Sequence, residues 1–342
     1  MQRVNGRQGE QGFTLLELLV ALGLGVGVLT IAFNTFAGSN RLVEADTGRV
    51  MGNQNVQTAV DLMAADLRQA GENLDLSLGI SGLEFDNAAQ ALTVRRSIPP
   101  LTAAQAASAP DLVGQTLKYM PVCHKAGSTL QIVGPPPGST VATAPCTYNT
   151  GPDGEDTNVR VWRTYFTSQD LRPQAALLYR PASGSTAALI QKTVVLRVEP
   201  TTNTGTAAAP VRRVNVTLSA PVPAAFTTTN GSLLILIDER RYQRVGNELR
   251  LGLGGQTADQ AQTVAFDVSN LKLNATLAAT DTAPQETVTS LALNGPWVRV
   301  RQVALELTAG SAGQGRAGAR TYSTQIFPRN VESARKVGTG AP

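Results

Sequence analysis

The sequence predicts an α+β protein: a long N-terminal α-helix, apolar through its first half, packed on an antiparallel β-sheet head. Three observations predict it. From Phe13 to Asn40 the only charged residue is Glu17. Val56, Val60, Met63, Leu67 and Ala70 then recur at helical spacing, one face of a 3.6-residue period. After Gly71 the composition shifts to Thr, Val, Ala, Gly and Pro, and short strand-like runs follow.

Leu18 to Gly38 supplies 21 uncharged residues, enough for a helix to span a hydrocarbon core about 30 Å thick. Arg3 and Arg7, against Glu10 alone, make the preceding segment basic, which keeps that end cytoplasmic and sends residues 37 to 342 outward. A secretory signal peptide is the rival reading, but its small-residue cleavage site follows the apolar core, and no A-x-A site stands near Gly38. A plain single-pass anchor leaves Glu17 unexplained, because an unpaired carboxylate in the apolar part of a helix costs about 2.5 to 3.5 kcal/mol on insertion scales.

Gly12-Phe13-Thr14-Leu15-Leu16-Glu17, running directly into the apolar segment, resembles the class III signal of type IV pilins and of the pseudopilins of type II secretion. The resemblance implies a leader, 1–12, that a prepilin peptidase removes between Gly12 and Phe13, with N-methylation of Phe13. It implies a pilin-like architecture in which helix 13–71 bears a transmembrane and assembly segment, 13–38, and residues 72–342 form the exported head. The segment would sit in the inner membrane before assembly and in the filament core after it. Partners implied are other major and minor pilin subunits and the inner-membrane assembly platform.

Glu17 would then face the amino group of Phe13 in a neighbouring subunit. Each charge alone is expensive in a dry helical core, and together they set the axial register. The alternative for Glu17 is a position at headgroup level. Gly23 and Gly27 form a small-xxx-small pair that lets another helix approach closely; each glycine, Gly25 included, weakens the helix by about 1 kcal/mol relative to alanine. Many major pilins carry a proline in this segment, and none lies between Phe13 and Phe36 here. Any local melting is therefore glycine-dependent.

Phe13 to Ala70 as one helix makes a rod roughly 87 Å long, ended by Gly71. Strand-like runs follow at 91–97, 115–122, 158–166, 186–198, 211–219, 232–237, 241–245, 247–251, 263–266, 271–277, 297–307 and 320–327. Gly246-Asn247 between two of them marks a tight hairpin. Residues 99 to about 157, with Pro99-Pro100, Pro135-Pro136-Pro137-Gly138 and Gly151 to Asp156, read as a loop-rich insertion.

Further motifs refine the subtype. Asp66-Leu67-Arg68-Gln69-Ala70-Gly71 resembles a recurrent run in PilW-type minor pilins and J-type minor pseudopilins. So do Tyr242 to Leu251 with Val264 to Leu273, Trp297 to Leu307, and Phe327-Pro328-Arg329-Asn330. The resemblance implies a minor pilin supporting pilus initiation or assembly, with twitching motility, adhesion or DNA uptake as the consequence. The alternatives are a DNA- or surface-binding pilus-tip module and a minor pseudopilin of a type II secretion system.

Two cysteines occur, Cys123 and Cys146, and in an oxidising compartment they are expected to pair. His124 is the only histidine, too few ligands for a structural zinc site, so no metal is expected. H-E-x-x-H, P-loop and G-x-S-x-G motifs are missing. Gly313 to Gly318 fits G-x-G-x-x-G but precedes no helix and reads as a loop. The protein is expected to be no enzyme and to use no cofactor. The chain carries +4 from 29 basic and 25 acidic residues; without Arg3, Arg7 and Glu10 it is +3. Arg240, Arg241, Arg244 and Arg250 cluster in sequence, and Arg299 and Arg301 would share one strand face. These six form a solvated basic surface or a DNA-contacting patch.

Overall fold

A computed structural model describes residues 14–117, 119–132, 157–169, 172–199, 202–203, 212–257, 259–310 and 319–331. The expected processing residues Gly12 and Phe13, Cys146, and the loop 313–318 lie outside them. The chain divides after Gln54 into an N-terminal unit and a head.

The N-terminal unit holds the first part of α1 (Leu15–Gln69). Thr14 starts the helix, its Oγ1 accepting the Glu17 N–H at 3.3 Å, as an N-cap residue does. Leu15, Leu16, Leu18, Leu19, Leu22 and their neighbours to Phe36 are all exposed. Leu15–Asn40 is long and apolar enough to cross a membrane.

The head contains the rest of α1. Val56, Val60, Met63, Leu67 and Ala70, the face expected from periodicity, are buried, and Ala59 and Ala64 join them. Sixteen strands follow among the described residues. They are β1 (Leu83–Asp86), β2 (Ala91–Ser97), β3 (Met120–Ala126), β4 (Thr129–Ile132), β5 (Gln174–Arg180), β6 (Leu189–Val198), β7 (Thr202–Asn203) and β8 (Arg212–Leu218). The second half comprises β9 (Leu233–Val245), β10 (Glu248–Leu253), β11 (Gln262–Ala265), β12 (Val268–Leu277), β13 (Glu286–Val288), β14 (Ser290–Leu291), β15 (Val300–Ala309) and β16 (Arg320–Ile326). A second helix, α2 (Thr157–Ser168), precedes β5. The class is α+β, with a 12-stranded and a 4-stranded sheet.

The 13-residue strand β9 organises the larger sheet. Its first four residues pair with β5 on one edge, Leu233↔Tyr179 to Leu236↔Ala176, and with β3 on the other. Its remainder pairs with β2, Ile237↔Ser97 to Gln243↔Ala91, and with β10. The first half closes a barrel: β9–β3–β4–β8–β6–β5 returns to β9, every pairing antiparallel. Closure removes exposed strand edges. The β9–β10 hairpin turns at Gly246, φ 63°, with Val245 opposite Glu248.

Side chains alternate across the barrel wall, as a pleated strand requires. Ala176, Leu178, Leu234 and Leu236 share a buried cluster with Leu130, Val214, Val216 and the α2 residues Val159, Trp162 and Phe166. Ala175, Leu177, Tyr179, Leu233, Ile235 and Ile237 face the other way and are covered by Ile80, Leu74 and Leu78. A separate core joins α1 to both sheets through Leu92, Val94, Tyr242, Leu273, Leu305 and Trp297.

Four expectations change. Residues 158–166, read as a strand, form α2, because Val159, Trp162 and Phe166 recur at helical spacing and are buried, with Val161 and Tyr165 beside them. The runs 232–237 and 241–245 are one strand, since Asp238 and Glu239 between them find partners on β2 and Arg240 finds one on α1. Arg299 closes a 3-10 turn, Trp297–Arg299, ahead of β15, so it shares no strand face with Arg301. Of the stretch read as loop-rich, 99 to about 157, the described part contributes β3, β4 and buried Leu101, Ala106 and Leu112.

Candidate functional site

Two features of α1 bear on function, its bare apolar segment and its anchorage in the head. In the first, a Cβ built at Gly23, Gly25 or Gly27 meets nothing within 4 Å. Among the described residues nothing requires glycine at these positions. Glu17 is exposed, and among the described residues its carboxylate has no partner.

The anchorage is built from Asp66 to Gly71. Asp66, 4% exposed, accepts hydrogen bonds from Arg240 Nη1 at 2.7 Å and from the Tyr242 hydroxyl at 2.5 Å. Arg240 and Tyr242 alternate with Arg241 on β9, so both reach the helix side of the sheet. Burial pushes the Tyr242 hydroxyl well above its ordinary value, and the hydrogen bond to Asp66 and that carboxylate's charge add to the effect. Gln69 accepts from Arg96, which also binds Asp238 at 2.6 Å. Gly71 N donates to Arg95 O at 2.8 Å, and the Asn330 amide donates to Ala70 O at 3.2 Å.

Gly71 has φ 75°, and a Cβ there would lie 2.8 Å from the Trp297 indole. At Gly82 a Cβ would collide with Gly71 N. The end of the helix, the start of β1 and Trp297 therefore meet at contact distances that only hydrogen atoms fit. Asn55 marks the start of the docked segment, its side-chain amide lying beside Val264 O and Phe266 N.

The opposite face of β2 and β9 carries a charged layer. Arg95, fully buried, donates from Nε to Glu239 at 2.7 Å and from Nη2 to Glu84, leaving Nη1 buried without a protein partner. Lys192 Nζ reaches Glu84 at 2.6 Å. Burial raises the Glu84 carboxyl, but the attraction of Arg95 and the hydrogen bonds from Lys192 and Arg95 outweigh it and hold the group below its usual value. The complementary doublets Arg95-Arg96 and Asp238-Glu239, which pair in register, were the signal for this cross-strand ladder. Sequence reasoning did not use it.

The six arginines expected to form a basic surface do not make one patch of free charge, although Arg241 and Arg250 line the same cleft. Arg240 serves Asp66. Arg244 donates to Val268 O at 3.0 Å and to Gln90 at 3.2 Å, and Arg250 binds Glu248 at 2.9 Å. Arg299 donates to Ala278 O and Pro284 O and lies 3.2 Å from Glu286. Only Arg241 and Arg301 are exposed and, among the described residues, without an ion pair. Cys123 is disulfide-bonded, and Cys146 is the one other cysteine of the chain. Among the described residues no group of three His, Cys, Asp or Glu could hold a metal ion.

No protein-family model, curated protein or solved structure matches the chain.

Proposed function

We propose that the protein is a minor pilin: an inner-membrane precursor that prepilin peptidase trims to Phe13, and that then enters a type IV pilus through α1. The observation that carries this reading is the sequence Gly12 to Glu17 running into a helix whose apolar residues, Leu15 to Phe36, have no cover among the described residues. Burying a Leu or Val side chain is worth about 1.5 to 3 kcal/mol, so such a surface needs lipid or neighbouring helices. The uncontacted Gly23 and Gly27 suit close helix approach, and the unpaired Glu17 suits a partner charge on another subunit. A head with an added barrel is bulky for every position of a shaft and fits a rare or terminal one.

The same features serve a minor pseudopilin of type II secretion. The DNA-binding reading draws less support, because four of its six arginines are committed to partners inside the head. Intact-mass and N-terminal analysis of protein from cell envelopes tests the proposal. A chain starting at N-methylated Phe13 is the expected result; an unprocessed Met1, or a start beyond Gly38, refutes it.

A further inference from the structure

A cleft of about 280 Å³ opens where β6 of the barrel faces β9 and β10. It lies on the charged-layer side of the sheet, because Glu239 and Arg241 of β9 both line it. Three cations, Lys192, Arg241 and Arg250, stand on its walls against one carboxylate, Glu239. That carboxylate is already engaged by Arg95, itself buried with one nitrogen unpartnered. Lys192 is balanced by Glu84 and Arg250 by Glu248. The uncompensated positive charge is therefore that of Arg241.

The remaining lining is uncharged. Thr193, Ser219, Gln243 and Thr257 offer hydroxyl and amide groups that both donate and accept, and none of the lining residues is aromatic. A stacked nucleobase has no platform there. Gly252, directly opposite Arg241 across the β9–β10 ladder, leaves the floor open. Its added Cβ would meet nothing nearer than 3.7 Å.

We propose that this cleft binds a sugar bearing one anionic group, carboxylate or phosphate, with Arg241 meeting the charge and the neutral side chains meeting the hydroxyls. The volume suits one monosaccharide unit, at the small end of ligand pockets. A guanidinium presents paired donors that match either anion. The inference does not depend on the filament reading, since every group it uses belongs to the head.

The test is ligand-observed NMR and calorimetry on the full chain in detergent, with glucuronate, glucose 6-phosphate, glucose and inorganic phosphate as probes. One or both anionic sugars bind, and glucose and inorganic phosphate each bind at least about tenfold more weakly. Which of the two sugars is preferred assigns the anion. Arg241→Gln weakens binding about tenfold or more, Gly252→Val blocks it by filling the floor, and Lys272→Gln, an exposed charge on β12, leaves it unchanged. Should Gly252→Val fail to fold, Arg241→Gln decides the matter, because that side chain is exposed. Absence of binding by both anionic sugars at about 10 mM, equal binding of glucose, equal binding of inorganic phosphate, or wild-type affinity in Arg241→Gln overturns the proposal.

Discussion

Asp66→Ala is expected to destabilise the head by about 2 to 4 kcal/mol. The figure follows from what the substitution orphans. The Tyr242 hydroxyl is fully buried and loses its acceptor, at a cost of about 1 to 3 kcal/mol. Arg240 loses its carboxylate, but its side chain is 30% exposed, so solvent limits that loss to about 1 kcal/mol. The upper part of that sum overlaps the range for breaking one side of a fully buried ion pair, and the shortfall reflects the solvated Arg240. Tyr242→Phe removes the hydroxyl without stranding a buried donor and should cost less. Combining it with Asp66→Ala should fall short of the additive loss by about 1 to 2 kcal/mol, the signature of a shared contact.

The chain has two tryptophans, and they report separately. Trp297 lies in the core with Asp66's neighbours Met63 and Leu67, and Trp162 lies in the barrel core. Urea unfolding of the full chain in detergent, followed by fluorescence with Trp162→Phe as background, isolates the helix-docking core. A loss under about 1 kcal/mol for Asp66→Ala, or strict additivity in the double variant, would refute the assignment of this contact as the helix anchor.

Gly71→Ala should lower the thermal midpoint by several degrees and cost about 2 kcal/mol or more, since the position combines a positive φ with a steric conflict at Trp297; a midpoint equal to wild type is the contrary result. Burial, with Asp238's charge adding, pushes the Tyr165 hydroxyl up to about 12, so the folded state keeps a proton that the unfolded chain releases near pH 10. Stability is then full below pH 10 and falls between about pH 10 and 12, by about 3 kcal/mol from this group, with Tyr242 acting in the same direction; thermal melts across that range check it. On the acid side, Glu84 is held below its ordinary 4.5, so its contribution is present above that pH and is lost as pH falls further. Glu17→Ala should be processed and membrane-inserted yet missing from sheared filaments, and normal incorporation would remove the charge-pair account. Non-reducing peptide mapping should recover Cys123 joined to Cys146, and two free thiols in exported protein would contradict the pairing.

The sequence made α1 legible at both ends for separate reasons. Its first half shows as an uncharged run, and its second as the face from Val56 to Ala70. Most strands were visible where apolar residues alternate between turn residues, as at Ala91–Ser97, which matches β2 residue for residue. β1, β4 and β5 escaped notice because each is short or lacks alternation. Leu177-Leu178-Tyr179 is buried on both faces, so its apolar pattern is continuous rather than period two. α2 was misread because β-branched and aromatic residues at helical spacing satisfy both templates over nine residues. The barrel could not be read at all, since closure depends on β5 pairing with β9, two strands about 60 residues apart. The arginines failed for a related reason: adjacency in sequence does not show which face of a strand, or which carboxylate, each one meets.

The charged triplet Asp238-Glu239-Arg240 sits where β9 changes partners, and that location gives it a structural role. Asp238 and Arg240 engage Arg96 and Asp66, while Glu239 on the opposite face engages Arg95. A one-residue slip of β9 against β2 would turn Glu239 toward the helix and strand three charges at once. Register is thereby fixed most strongly at the point where β9 passes from the barrel to its pairing with β2. None of Asp66, Gln69, Gly71, Arg240, Tyr242, Trp297 or Asn330 lies among the residues that close the barrel. The barrel, with its cleft against β10, can therefore vary in sequence and shape while the head continues to hold α1 in the same way. In the proposed filament role, that separation lets the helix match its neighbours while the outer surface differs.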